Sequence, residues 1–287
     1  MRSTTQLRAM LTEPGLIVAP GAYDGLSARL IEAAGFGAVY MTGAGAAASC
    51  LGQPDLGLMT LTEMAAQASR LAACVSVPVL ADADTGYGNV LNVVRTVREY
   101  ERTGVAGLHL EDQLAPKRCG HIAGKQIIPA REFVDKIRAA VEYRTDPDFV
   151  IIARTDARAV TGLDDAIDRA NRYAEAGADV VFVEAPESEE EIRRIAREVK
   201  APLLINMVAG GKTPPVKLKD LERLGFKIAI FPVVCLAAAV PAMEHALARL
   251  KGGGVDADES DRPGPAELFH KVGFDWWHAI EEKFAGE

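Results

Sequence analysis

What this chain lacks narrows its class before any motif is considered. No apolar run reaches membrane-spanning length, and no N-terminal stretch has the basic, apolar and small-residue pattern of a signal peptide. Four cysteines (Cys50, Cys74, Cys119 and Cys235) in 287 residues are too few for a disulfide framework, so a reducing compartment is expected. Acidic residues outnumber basic ones, giving a net charge of −8, and no basic cluster is dense enough to track a phosphate backbone; nucleic acid is therefore not an expected partner. No GxGxxG follows the first apolar run, which removes the usual dinucleotide grip. Cys119 and His121 have no second spaced pair, so a zinc centre is not expected. These absences leave a soluble, cytoplasmic protein handling small molecules.

What is present is a regular alternation. Apolar runs at 16–19, 38–42, 77–80, 107–113, 149–154, 180–184, 203–206 and 227–231 read as strands. Helical patterns fill 24–34, 61–74, 89–103, 130–143, 163–176, 188–199 and 235–250. Thr60 stands three residues before Glu63, the spacing of a capping box, and Gly104 closes the helix before it. Eight strands, most followed by a helix, in a chain of this length predict an α/β fold: a (β/α)8 TIM barrel over residues 1–250. The Gly-rich and acidic stretch after Lys251 reads as a linker, and the apolar Phe274-Asp275-Trp276-Trp277 begins a terminal helix. Residues 251–287 are thus expected to form an appendage that covers something, a barrel floor or a neighbouring subunit.

In such a barrel the carboxyl ends of the strands share one face, where sites are assembled. Those ends carry Tyr40 and Thr42, Asp82 and Asp84, His109 and Glu111, Arg154 and Asp156, Glu184, and Asn206. Acids, a guanidinium, an imidazole and an amide on consecutive strands exceed what capping requires. Asp82 and Asp84 are one alternate step apart, so an extended backbone would aim both carboxylates the same way. They would repel unless a cation sat between them, and a hard ion such as Mg2+ suits oxygen ligands; a strand-ending pair that caps the next helix is the plainer alternative. The long segment 114–129 carries Lys117-Arg118-Cys119-Gly120-His121. Its positive neighbours are expected to favour thiolate at Cys119, making it a candidate for proton exchange with a carbon acid. Cys50, Cys74 and Cys235 lie in apolar surroundings and read as packing residues.

Four motifs in order resemble one family: Asp82-Ala83-Asp84-Thr85-Gly86-Tyr87-Gly88, Leu108-His109-Leu110-Glu111-Asp112-Gln113, Lys117-Arg118-Cys119-Gly120-His121 and Ala153-Arg154-Thr155-Asp156-Ala157. Together with Pro20-Gly21-Ala22-Tyr23-Asp24 and Gly210-Gly211-Lys212-Thr213-Pro214 they are similar to the isocitrate lyase/phosphoenolpyruvate mutase superfamily, nearest its short lyases of 2-methylisocitrate and of 2-alkylmalates such as 2,3-dimethylmalate. The resemblance implies a barrel whose eighth helix is exchanged between subunits, in a homotetramer. It implies Mg2+ (Mn2+ being the alternative) held by Asp82 and Asp84, with Asp55 and Glu111 behind them. It implies a substrate carboxylate meeting Thr42, Gly43 and Ala44, further substrate contacts from Arg154, Glu184 and Asn206, and a gating loop bearing Cys119, Gly120 and His121. Phosphonate-forming members lack the Lys-Arg-Cys-Gly-His pattern, so a lyase is expected. No cation lies between Val233 and Ala237, and Pro265-Ala266 stands where a second arginine is expected. An extra substrate carboxylate would then be left unpaired, so a dicarboxylate is expected over a tricarboxylate.

The expected chemistry is metal-assisted retro-aldol (Claisen-type) cleavage of a 2-hydroxy acid to pyruvate and a second carboxylate. Tyr40 or a nearby carboxylate would take the hydroxyl proton, Arg154 and His109 would support the developing charge, and Cys119 would return a proton. Oxaloacetate decarboxylation or hydrolysis is the rival enzyme reading. Behind it stand a phosphonomutase and a silent keto-acid binder.

Overall fold

The computed structural model describes residues 1–253 and 263–285. The chain divides into two compact units, Met1–Cys235 and Leu236–Glu287. In the first, eight parallel strands close in sequence order into a barrel, with β8 pairing back onto β1. They are β1 (Ile17–Ala22), β2 (Val39–Met41), β3 (Val79–Asp82), β4 (Gly107–Glu111), β5 (Val150–Thr155), β6 (Val180–Val183), β7 (Leu203–Asn206) and β8 (Phe226–Phe231). The apolar runs read as strands because both faces are covered: Tyr40, Leu80, Ile152, Phe182, Leu204 and Ile228 fill the interior, while Met41, Ala81 and Leu108 pack outward.

The helices are α1 (Ser3–Thr12), α2 (Gly25–Ala33), α3 (Gly43–Ala46), α4 (Leu61–Cys74), α5 (Val90–Thr103), α6 (Ala130–Tyr143), α7 (Leu163–Glu175), α8 (Glu189–Glu198), α9 (Leu218–Leu224) and α10 (Val234–Lys251). The capping box at Thr60 and Glu63 forms as its spacing predicts, and α5 ends at Gly104 with φ +87°. Three helices are additions to the sequence pattern. α1 and α9 bury too few side chains to impose a period, with Leu221 the one buried residue of α9. α3 is Gly-Ala-Gly-Ala, poor in propensity, and is fixed by the Thr42 hydroxyl accepting from the Gly45 N–H. α1 seals the amino-terminal end of the barrel, sending Leu7 into the interior cluster. Thr4 and Thr5 donate to Asp146 and Asp148 at 2.8 and 2.7 Å, and Arg8 meets Asp179 at 2.6 Å.

From Leu236 on, α10 belongs to the second unit, which also holds α11 (Pro265–Lys271) and α12 (Phe274–Phe284). α12 begins where the aromatic run predicts; α11 is a further addition, with Pro265 at its first turn. The linker expected from Gly252 to Pro265 falls mostly outside the described residues, and Pro265 itself begins α11. No helix is long and apolar enough to cross a membrane among the described residues.

Candidate active site at the carboxyl ends of the strands

β3 ends at Asp82, and the pair with Asp84 is not made by strand alternation. Asp84 has φ +47°, so the backbone has already turned left-handed and brings its carboxylate back beside that of Asp82. Asp82 accepts the Asp84 N–H at 2.9 Å and the Gly43 N–H at 3.2 Å. A Cβ at position 43 would lie 2.4 Å from the Asp82 carboxylate, so only glycine permits this approach. The other Asp82 neighbour is His109, whose Nε2 is 3.4 Å from Oδ1 and 2.7 Å from the Tyr40 hydroxyl.

A single ammonium enters this acidic group. Lys117 Nζ is 2.5 Å from Asp55 Oδ1 and 3.0 Å from Asp84 Oδ1. Burial alone would raise the Asp82 carboxyl, yet His109 and Lys117 hold it well below the usual range. Asp84 goes the other way: burial, with Asp82 adding to it against the pull of Lys117, pushes it up to about 6. Burial also raises Glu111 well above its ordinary value, against the pull of Arg154. Both Glu111 oxygens and Asp84 Oδ1 are buried and accept no hydrogen bond of good geometry.

A second group sits on β5 to β7. Arg154 donates to Asp156 from Nε and NH2 at 2.9 and 3.1 Å, and its NH1 is 3.3 Å from Glu111 and 3.7 Å from Glu184. Asn206 donates to Glu184 at 3.2 Å and lies 3.3 Å from His121 Nε2, while His121 Nδ1 accepts the Lys212 N–H at 3.1 Å. The loop 114–129 thus lies directly on the strand ends. A Cβ at Gly120 would come within 2.6 Å of Arg154 NH2 and 2.7 Å of the Glu184 side chain.

The candidates from strands and loop therefore lie together at this end of the barrel, and the geometry bears on three of the expected roles. Burial pushes the Cys119 thiol up rather than down: Lys117 is committed to Asp55 and Asp84, Arg118 points to solvent, and Asp55 and Glu184 oppose the nearby Arg154. Burial and the Asp82 charge lift the Tyr40 hydroxyl well above its ordinary value, and the hydroxyl is engaged with His109 at 2.7 Å. The Gly43 amide is taken by Asp82 and the Thr42 amide by the Ala22 carbonyl at 3.3 Å, so neither donor is free for a substrate carboxylate in this arrangement; Ala44 follows in the first turn of α3.

The pattern of residues hides three participants. Lys117 reads as a neighbour of the thiol, Lys125 as a loop lysine and Asp156 as a strand-end acid. Lys125 Nζ bonds Asp156 Oδ1 at 2.7 Å and the Gly120 carbonyl at 2.5 Å. The one sequence signal was their position, inside the motif-bearing insertion or two residues after Arg154.

Among the described residues no three His, Cys, Asp or Glu side chains converge tightly enough to hold a metal alone. Mg2+ does not need them to, since it is commonly bound through one or two carboxylates, several waters and its substrate. Two adjacent buried carboxylates, with oxygens of Asp84 and Glu111 that accept no well-formed hydrogen bond, fit such an ion.

The model of the phosphoenolpyruvate phosphomutase family matches residues 7–251. The chain is 49% identical over 261 residues to a 2,3-dimethylmalate lyase of Eubacterium barkeri, covering 91% of this chain and 90% of that one. Among solved structures it resembles a 2,3-dimethylmalate lyase described as a member of the PEP mutase/isocitrate lyase superfamily. The TM-score is 0.95 at 44% identity, covering 100% of this chain and 96% of that one. It also resembles an oxaloacetate acetylhydrolase holding 3,3-difluorooxalacetate, with a TM-score of 0.93 at 39% identity, covering 99% and 98%.

Proposed function

This chain belongs to the phosphoenolpyruvate mutase/isocitrate lyase superfamily, and from that premise we propose that it is a Mg2+-dependent carbon–carbon lyase. Its substrate is a 2-hydroxy dicarboxylate of the 2-alkylmalate class, cleaved between C2 and C3 to pyruvate and a second carboxylate. The observation that carries the reading is the junction of two groups under one thiol-bearing loop. One group is acidic enough to hold a hard cation; the other, Arg154, Asn206 and His121, is suited to a carboxylate. The missing cation between Val233 and Ala237 favours a dicarboxylate over 2-methylisocitrate.

Asp82 and Asp84 would hold the ion, with Asp55 and Glu111 behind them. The chemistry such an ion would supply when bound is Lewis-acid polarisation, which would make the substrate's 2-hydroxyl more acidic. A carboxylate of the cluster takes the hydroxyl proton, the Tyr40 hydroxyl being engaged with His109. Arg154, fixed by two bonds to Asp156, faces the charge that develops on the departing carboxylate fragment, with His109 beside it. Cys119, kept as a thiol by burial, gives that fragment its proton. The loop over these groups keeps water from competing for it.

A homotetramer with exchanged eighth helices is part of the same reading. α10 has no buried residue, although it carries Val240, Met243 and Leu247. The barrel wall separately presents an apolar trough lined by Val18, Leu30, Ile31, Ala34, Phe36 and Phe231. A cytoplasmic location fits the small-acid chemistry.

The test is a product assay on the purified protein with 2,3-dimethylmalate, other alkylmalates, 2-methylisocitrate and oxaloacetate. Pyruvate should form from an alkylmalate, stop with a chelator and resume with Mg2+. Hydrolysis of oxaloacetate is the second reading, favoured by the likeness to oxaloacetate acetylhydrolase. Oxalate and acetate from oxaloacetate, with no pyruvate from any alkylmalate, would establish it instead. Decarboxylation would show as retained turnover in Cys119→Ser, since it needs no proton from the thiol.

A further inference from the structure

The functional atoms lie beneath the loop 114–129 and are almost sealed. Asp82, Asp84, Arg154 and Asn206 are each less than a tenth exposed, and Glu111 and Glu184 are fully buried. A dicarboxylate can reach them only if the loop lifts, so something must define its closed position. Three loop side chains touch the floor. Lys117 meets Asp55 and Asp84, contacts that change with whatever cation the cluster holds. His121 meets Glu184 and Asn206, where a substrate would intervene. Lys125 alone reaches past both groups.

The base of the loop is tied shut: Gln113 and Ile127 form an antiparallel bridge, and the Leu114 N–H donates to the Gln126 carbonyl at 2.8 Å. Lys125 stands one residue inside that tie, next to Gln126. Its side chain is 2% exposed, and its ammonium donates to the Gly120 carbonyl at the tip and to Asp156 Oδ1 on the floor. Asp156 in turn binds Arg154 through both oxygens, and its own N–H is anchored on Asp112 Oδ1 at 2.9 Å. Burial works against the Asp156 carboxylate, but Arg154 and Lys125 together bring its pKa to about 2, so it stays charged.

We propose that Lys125 and Asp156 form a latch: they are positioning residues that hold the tip of the loop down only while Arg154 is aimed into the site. Loop closure and the orientation of the guanidinium then become one event, because the same carboxylate serves both cations. A buried ion array carries a desolvation cost that apolar packing would avoid. What this array adds is a link from the tip of the loop to the one carboxylate that also fixes Arg154. The proposal rests on the lyase reading only in naming Cys119 and Arg154 as working groups; the contacts themselves do not depend on the substrate.

The test follows alkylation of Cys119 by iodoacetamide in the full-length, ligand-free protein, resolved by peptide mapping, with the exposed Cys50 as internal reference. In Lys125→Met, Cys119 should react about tenfold faster or more, the scale of losing a charge-assisted hydrogen bond, while Cys50 is unchanged. Loss of a nearby cation by itself would raise the thiol pKa and slow the reaction, so faster alkylation reports exposure. Lys125→Gln, which can still donate, should fall between the two, and it carries the test if the methionine variant does not fold. Asp156→Asn should likewise speed alkylation and, on any substrate turned over, raise KM as Arg154 loses its fixed aim, whereas Lys125→Met should lower kcat more than it changes KM. Cys119 reacting at the wild-type rate in folded Lys125→Met or Lys125→Gln overturns the latch. Because the alkylation needs no substrate, that result is separate from a failure of the wild-type protein to cleave alkylmalates.

Discussion

The two ends of this barrel treat charge in opposite ways. At the amino-terminal end, Asp179 is shared by Arg8 and Arg144 at 2.6 and 2.7 Å and also accepts the Ile151 N–H, while Asp146 and Asp148 take the α1 threonines. These carboxylates keep some contact with solvent, and their partners answer them. At the carboxyl end the charges are more deeply buried and less well answered. Of the described buried side-chain atoms without a hydrogen-bond partner, five belong to Asp84, His109, Glu111 and Asn206, against the single Arg8 Nε at the other end. One end is built to hold the strands together; the other keeps polar capacity in reserve for something that arrives later.

The contrast can be broken by exchanging the two kinds of effect. Asp84→Asn, which keeps size and tolerates a positive φ, should reduce turnover about a thousandfold or more, the scale of removing a preorganised charge from a reacting centre. The same change should leave the melting temperature of the metal-free protein equal to or above wild type, because burial already disfavours that charge. An enzyme that retains activity, or a protein that melts well below wild type, would erase the distinction. Cys119→Ser should cost about a hundredfold or more in alkylmalate cleavage, within the range for general acid catalysis, with unfolding unchanged. At the opposite end, Asp179→Ala should lower stability by about 2–4 kcal/mol, since it strands two arginines, and leave kcat at 25 °C unaltered. Denaturant unfolding alongside steady-state kinetics checks both halves.

The smallest effect concerns pH. Burial favours the neutral thiol at Cys119, so its pKa lies above that of an ordinary free thiol and the group is protonated at neutral pH. Its alkylation rate should therefore still be rising at a pH where a small reference thiol has levelled off. An earlier plateau would mark Cys119 as a thiolate, unsuited to giving a proton.

How legible all this is from sequence depends on the range of the cause. The strands follow from apolar runs with both faces covered, and α4 and α5 from caps a few residues away, all short-range signals. The face on which Tyr40, Asp82, His109, Arg154 and Asn206 meet follows from strand order. The exchange of roles within it does not. Lys117 is 62 residues from Asp55, and Lys125 is 31 from Asp156, so nothing local reveals which charge each lysine answers. Reading Lys117 as a neighbour of Cys119 assigns its field to the wrong group, and burial then sets the direction of the thiol's shift. Asp84 misleads similarly, because alternation assumes a strand that has already ended.

Every residue given a role in the chemistry falls between Tyr40 and Asn206, on β2 to β7 and their loops. The seam where the last strand closes onto the first, with Ile17 to Pro20 alongside Ile228 to Phe231, contributes none of them. Ring closure thereby draws on other residues than reactivity does, so a conservative substitution along that seam should shorten the life of the cylinder more than it alters turnover.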